Sequence, residues 1–288
     1  MLIREKFFPV RDYDLAATLT SGQVFRWQLR DGAWEGVIGQ RWARLHGRDG
    51  GILAQTAQAE AGWNWLTDYL QIAVDLSAVL LSFPDDDPMR RSVTACRGLR
   101  LLRQDPWECL ASFILSSTKQ IIQIQQIVAL LCARFGQPIL APDGHEPLFS
   151  FPGPERLAVC SETDLRDCKM GFRAPNLLRA ARRVASGEMN LERLRAQTLE
   201  EARAALLQFP GVGEKIANCV LLFGYGFQQA FPVDVWVMKA LRELYFPRRR
   251  PTPDRVRRFV STYYGVHAGY AQQYLFHYMR MRGKVRRA

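Results

Sequence analysis

Gln208-Phe209-Pro210-Gly211-Val212-Gly213-Glu214-Lys215-Ile216-Ala217-Asn218-Cys219, with Phe231-Pro232-Val233-Asp234-Val235 downstream, is the stretch on which the reading of this 288-residue chain turns. Ahead of it, Leu199 to Leu207 has helical spacing, with Ala202, Leu206 and Leu207 expected inward. After it, Ile216, Val220 and Phe223 recur at the same spacing, which predicts a second helix from Glu214 to about Phe223. Gly211 and Gly213 flank Val212 and free the turn for positive φ and for close approach of a ligand to the backbone. The unit is a helix-hairpin-helix over about 199–223. The unpaired first amides of its second helix, at the positive end of the helix dipole, suit a phosphate. Read alone, the turn is equally a plain connection between packed helices.

Lys215 falls in the first turn of that second helix, where the dipole disfavours an ammonium; an amine attacks carbon only with its lone pair free. Asp234 follows an apolar run that returns the chain to the hairpin, and Val235, Val237 and Met238 predict a helix starting beside it. The pair therefore reads as nucleophile and electrostatic partner, while Asp234 taken alone also suits a helix N-cap. Cys219 lies four residues after Lys215 on the same helix face, either as a thiolate partner or as an apolar wall.

With these residues the chain resembles the 8-oxoguanine DNA glycosylase/AP lyases of the helix-hairpin-helix superfamily. Three further runs carry the likeness in the same order as in that family: Ser21-Gly22-Gln23-Val24-Phe25-Arg26-Trp27, Leu101 to Leu110 (Leu-Leu-Arg-Gln-Asp-Pro-Trp-Glu-Cys-Leu), and Gly269-Tyr270-Ala271-Gln272-Gln273-Tyr274-Leu275-Phe276. The resemblance implies that Lys215 attacks C1′ of an extruded nucleotide, expels the base and holds the sugar as a Schiff base before β-elimination, with Asp234 stabilising developing positive charge. It implies that a backbone carbonyl of Gly22 reads the N7 proton of 8-oxoguanine, that Gln272 bonds the pairing edge, and that Phe276 and Cys219 sandwich the base. Read without the family, Gln272 is a solvated helix residue and Phe276 a core aromatic.

The resemblance also marks departures. Thr118, in Leu115-Ser116-Ser117-Thr118-Lys119-Gln120, takes the place of the asparagine that fills the gap left by the flipped base. Phe172 matches the wedge and Arg173 one of two arginines that read the opposite cytosine, whereas Gln123 stands where the second arginine is expected. A relaxed preference for the opposite base follows. Trp236 replaces a DNA-touching histidine, and Gly211 and Gly213 are the backbone-binding glycines. None of the six cysteines follows Cys219, so the iron-sulfur cluster of the endonuclease III branch is not expected. The expectation is of no cofactor, with a monovalent cation at the hairpin carbonyls the one candidate by analogy.

A formal net charge of +11 suits a polyanionic partner, here double-stranded DNA containing an oxidised purine. The late clusters Arg248-Arg249-Arg250 and Lys284-Val285-Arg286-Arg287 read as solvated surface and a frayed end. Scattered cysteines fit a reducing compartment, and the histidines His46, His145, His267 and His277 form no ligand pattern. Arg4, Glu5 and Lys6 interrupt any apolar start and no run is long enough to span a bilayer. These features predict a soluble monomer that is not secreted, cytoplasmic or nucleoid-associated in a bacterium and nuclear in a eukaryote. Competing readings are a module that only binds DNA backbone and a monofunctional alkylbase glycosylase that keeps Asp234 but lacks the lysine.

The fold expected is α+β. An N-terminal domain, 1–88, carries antiparallel hairpins from about Gly22 to Gln55, broken at Asp31-Gly32, Gly39-Gln40 and Asp49-Gly50-Gly51, then a helical stretch from Ala61 to Leu81. The Pro/Asp-rich break Phe83-Pro84-Asp85-Asp86-Asp87-Pro88 reads as a linker to a helical domain, 89–288. There Pro106 opens a helix with Trp107, Leu110, Phe113 and Ile114 on its inward face, and Ile121 to Phe135 forms another. The site is expected in the cleft between the domains.

Overall fold

A computed structural model describes residues 3–57, 62–248 and 251–285, with side chains to Gly283 in the last segment. Strands β1 (Arg4–Pro9), β2 (Trp27–Arg30), β3 (Ala33–Ile38), β4 (Arg41–Arg48) and β5 (Gly51–Thr56) form one antiparallel sheet in the order β1-β5-β4-β3-β2. Between β2 and β3, Asp31 and Gly32 both take positive φ, 47° and 75°, as a two-residue turn matched to strand twist requires. β1 lies outside the expected sheet region. Its charged sequence and single buried side chain, Phe8, mark an edge strand whose pattern is too weak to read locally. The irregular alternation at Trp42 to Leu45 has a packing cause: Trp42, Ala43 and Leu45 are all buried, because both sheet faces are covered. On one face Ala43 and Leu45 join the sheet core, and on the other the Trp42 ring meets His145 edge-on at 5.6 Å.

The helices are α1 (Leu15–Thr20), α2 (Asn64–Leu70), α3 (Leu76–Leu81), α4 (Asp87–Ala95), α5 (Pro106–Leu115), α6 (Ile121–Phe135) and α7 (Pro154–Ala158). They continue with α8 (Glu162–Leu165), α9 (Ala174–Ala185), α10 (Leu199–Leu207), α11 (Glu214–Val220), α12 (Val235–Ala240), α13 (Pro253–Tyr263) and α14 (Ala268–Val285). Among the described residues no helix is long and apolar enough to cross a membrane. The helical stretch expected at Ala61 to Leu81 is two helices. Its first residue lies outside the described residues, α2 stops where Gln71 turns left-handed (φ 53°), and Asp75 caps α3 by accepting from the amides of Ser77 and Ala78.

The cores explain the break. Leu66 and Leu70 of α2 pack in the sheet core, whereas Leu76 and Val79 of α3 pack in the helical core, so the cores change hands between these helices, ahead of the boundary expected at 88. The stretch read as a linker is ordered helix entry: Asp86 caps α4 through the Met89 amide and accepts from the hydroxyls of Tyr245 and Tyr263. α5, capped by Asp105 with Pro106 first, is buried on every side except at Glu108 rather than along one face. It is the central helix of the domain. Of the late basic clusters, Arg248 is exposed; Arg249, Arg250, Arg286 and Arg287 lie outside the described residues, as do the side chains of Lys284 and Val285.

The sheet domain is strapped to the helical one through Gln23 and Arg100. Gln23 donates to the carbonyls of Thr18 and Arg100 and accepts from the Leu102 amide, while its own carbonyl accepts from Gln104. Arg100, 2% exposed, donates to the carbonyls of Arg11, Asp12 and Val74. These bonds fix the Ser21–Gln23 segment against the helices, and with it Gly22.

Candidate active site

The hairpin forms as its residues demand. Thr198 and Glu201 make a reciprocal cap at the start of α10, and Ala202 and Leu206 face inward. Leu207, expected inward, is 38% exposed, because the helix ends there and its last residue turns toward solvent. The two glycines differ. Gly211 has φ 78°, and a Cβ there would run into the Asn176 side amide. Gly213, expected to share that conformation, is instead the extended N-cap of α11 (φ −102°), and a Cβ would meet nothing within 4 Å. Its surface is open to an incoming ligand.

Lys215 stands in the first turn of α11, half-buried. Its Nζ donates to Ser116 Oγ at 3.1 Å and lies 5.1 Å from the centre of the Phe113 ring. Ser116 donates its only proton to the Phe113 carbonyl at 2.7 Å, so toward the lysine it can only accept. Asp234 caps α12, its Oδ1 accepting from the amides of Trp236 (3.0 Å) and Val237 (2.8 Å). The capping role expected as an alternative is present, and it leaves the carboxylate within electrostatic reach of Lys215. Burial pushes the Asp234 carboxyl up, against the Val237 amide, Lys215, the Trp236 amide and Arg280, which all favour the carboxylate. Lysine and aspartate influence each other through space; the direct partner of the amine is Ser116.

Cys219, one turn along α11, is 3% exposed. Burial pushes its thiol up to about 11 despite the pull of Lys215, which leaves a neutral thiol and decides for the apolar wall over the thiolate. Gly22 has φ 79°, and a Cβ there would stand 2.8 Å from Ile121 Cδ1 and 3.5 Å from Phe276 Cε1. Phe276 is half-buried, with the Arg280 guanidinium 5.5 Å from its ring centre. Gln272 is not the solvated residue that a family-free reading gives: it is 3% exposed, and its buried Oε1 accepts no hydrogen bond. A buried acceptor without a protein donor is costly, and this one lies on α14 one turn before Phe276. Its neighbour Gln273 donates to the Ser21 carbonyl at 3.0 Å, so α14 holds the Gly22 segment directly.

The residues expected at the opposite strand form a second group. Phe172 is 60% exposed, and the Arg173 guanidinium lies 4.2 Å from its ring centre. Arg173 itself is 3% exposed and occupied: Nε donates to the Ser117 carbonyl (2.8 Å), Nη1 to the Met170 carbonyl (3.2 Å) and Nη2 to Thr118 Oγ1 (2.5 Å). Thr118 is exposed at positive φ, 55°. Gln123 is exposed and accepts from the Gln120 amide as half of the α6 capping box. Trp236 is half-buried, with Lys239 over its ring at 5.7 Å and Gly283 against its edge.

Sequence reasoning passed over Ser116, Asn176 and Arg280. Ser116 lies inside a quoted run, but only the crossing of α5 by α11 brings it to the amine. Two cavities of about 260 Å³ lie elsewhere, one between β2–β4 and α6 beside Glu35, Trp42 and His145, the other where α5 begins, beside Trp107 and Met189. Neither is lined by Lys215. Among the described residues no three His, Cys, Asp or Glu side chains are grouped to hold a metal ion.

Comparison with known proteins covers both domains. Residues 7–110 match the profile of the 8-oxoguanine DNA glycosylase N-terminal domain, and 111–264 that of the HhH-GPD superfamily base excision DNA repair proteins. The chain is 33% identical to the N-glycosylase/DNA lyase OGG1 of Arabidopsis thaliana over 94% of its own length and 80% of that protein's. It is 29% identical to a probable N-glycosylase/DNA lyase of Methanothermobacter thermautotrophicus over 97% of both. The solved structure of MBOgg1 with a low-affinity DNA ligand superposes with a TM-score of 0.92 at 32% identity, covering 98% of this chain and 100% of that one. The Clostridium acetobutylicum 8-oxoguanine glycosylase/lyase bound to double-stranded DNA with cytosine opposite 8-oxoG superposes with a TM-score of 0.89 at 30% identity, covering 98% and 99%.

Proposed function

The chain belongs to the 8-oxoguanine DNA glycosylase family of the helix-hairpin-helix base excision repair superfamily, and on that footing we propose that Lys215 is its attacking amine and Asp234 the carboxylate that serves it. It is a DNA N-glycosylase with associated lyase activity that excises 8-oxoguanine from duplex DNA. Acting on genomic DNA places it in the cytoplasm or nucleoid of a bacterium or the nucleus of a eukaryote.

The sugar carbon is out of reach within a stacked duplex, so the damaged nucleotide must leave the helix. In the pocket its base lies between the neutral Cys219 thiol and the Phe276 ring, with its pairing edge at Gln272. The N–H donors of that edge supply what the Gln272 Oε1 lacks. Gly22 presents its carbonyl to the N7 proton that guanine does not carry. A single misplaced buried hydrogen bond costs about 1–3 kcal/mol, so flipping and alignment must add to the discrimination.

Ser116 holds the amine by one N–H, which leaves the nitrogen oriented by a neutral acceptor rather than locked in an ion pair. The lysine nitrogen bonds to C1′ as the C1′–N9 bond breaks and the electron pair leaves with the base, which takes up a proton. Opening of the sugar ring and loss of the nitrogen proton give the Schiff base. Removal of a C2′ proton then expels the 3′ phosphate by β-elimination. Asp234, its Oδ1 tied to two amides, offers fixed negative charge to the cationic sugar and iminium. Every group these steps use is a side chain or the substrate, so the reading needs no metal or redox cofactor.

The observation that carries the reading is the surroundings of the amine: one neutral hydroxyl contact, an aromatic wall and a half-buried carboxylate within electrostatic reach. A labelled duplex with a single 8-oxoguanine, incubated with the protein and borohydride, tests it. A covalent adduct is expected from wild type and none from Lys215→Gln. Base release by wild type without a trapped species would remove the lysine from the mechanism. With one arginine of the opposite-base pair replaced by Gln123, discrimination among opposite bases is relaxed.

A further inference from the structure

Arg280 follows Phe276 by one turn of α14, so the two side chains share a face. Its Nη1 donates to the carbonyl of Thr20, the last residue of α1, at 3.1 Å, and its guanidinium lies 5.5 Å from the Phe276 ring centre. Burial disfavours its charge, and Asp234 favours it. From Thr20 the chain runs through Ser21, held by Gln273, into Gly22, which packs against the same phenylalanine.

We propose that Arg280 is a specificity-determining positioning residue: by tying the end of α1 to the Phe276 ring it fixes the spacing between the Gly22 carbonyl, which reads the N7 proton, and the aromatic face on which the damaged base stacks. The two groups come from different domains, Gly22 from the segment after α1 and Phe276 from α14. Arg280 is a side chain that touches both sides. A cation suits the task because one planar group can cap carbonyls at a helix end and lie over an aromatic face at once. A leucine would fill the space and do neither.

The inference rests on the base occupying the pocket proposed above, and its test separates the two. Wild type, Arg280→Leu and Arg280→Lys are compared at about pH 8, above the carboxylate range, on one duplex carrying 8-oxoguanine and another carrying a preformed abasic site. Arg280→Leu is expected to slow single-turnover excision of 8-oxoguanine about tenfold or more, the scale of one charge-assisted contact. Borohydride trapping at the abasic site, where there is no base to clamp, should stay within about twofold. Arg280→Lys keeps the cation and a donor but not the planar face, and its excision rate should fall between those of wild type and Arg280→Leu. Equal losses on both substrates, or undiminished excision in Arg280→Leu, overturn the proposal. Should Arg280→Leu fail to fold, Arg280→Gln decides: excision lowered with trapping intact supports the clamp, and wild-type excision refutes it. Failure of wild type itself to release 8-oxoguanine would defeat the pocket reading instead.

Discussion

The lesion pocket and the opposite-strand face lie side by side, yet they stand in different states. In the pocket the functional groups have capacity to spare: the amine is held by one neutral hydroxyl, the Gln272 Oε1 accepts nothing, and nothing crowds Gly213. On the strand face the polar groups are already engaged by the protein. Arg173 is bonded to the carbonyls of Ser117 and Met170, and Gln123 closes a helix cap. The group around Lys215 keeps open polar capacity, whereas Arg173 would have to give up internal bonds to reach a partner base. Exchange of one set of hydrogen bonds for another returns little net energy.

Three experiments sharpen or break this contrast. The largest effect is expected from Asp234→Asn, which should lower excision by about 10²- to 10³-fold, the scale of removing a preorganised charge. DNA affinity should change little, and so should stability, because asparagine caps helices about as well as aspartate; Asp234→Ala should cost about 1 kcal/mol more in melting experiments. Equal loss of turnover and affinity in Asp234→Asn would contradict the assigned role. Since burial raises the Asp234 carboxyl above its ordinary value of about 3.9, the wild-type rate should fall on the acid side at a higher pH than an exposed aspartate would give. Asp234→Asn should lose that limb. The linkage has the opposite sense for folding: a raised carboxyl favours the folded state at low pH, and this contribution disappears as pH climbs through the folded-state value.

A smaller effect is expected from Gly22→Ala. The methyl would stand 2.8 Å from Ile121 at a φ that L residues avoid, so excision of 8-oxoguanine should fall about ten- to a hundredfold. Trapping at an abasic site should persist, and parallel loss of both would place Gly22 outside base reading. The smallest effect belongs to the strand face. Across duplexes with each base opposite the lesion, cytosine should be preferred by less than about a hundredfold, because one charged reader is missing and the other is engaged. Gln123→Arg should raise the preference; a wild-type preference above that limit would contradict the contrast.

Wherever a residue type is dictated by local chemistry, the sequence was enough. Two helical runs around Pro-Gly-Val-Gly specify the hairpin, Asp-Gly specifies a tight turn, and Pro106 after Asp105 specifies a helix start. The strand β1, the break between α2 and α3 and the burial of α5 on all sides were illegible, since each depends on which core a segment joins. In the same way, the sequence placed Lys215 on its helix, and the family resemblance drew Gly22, Gln272 and Phe276 from distant motifs as candidate partners. Only the tertiary structure decided that Ser116 receives the amine, that Cys219 is a buried neutral thiol, that Asp234 caps α12 within electrostatic reach of Lys215, and that Arg173 is engaged. The reason is physical: helix and turn preferences act over a few neighbouring residues, whereas hydrogen-bond partners and burial are set by segments about a hundred residues apart in the chain, as Ser116 and Lys215 are.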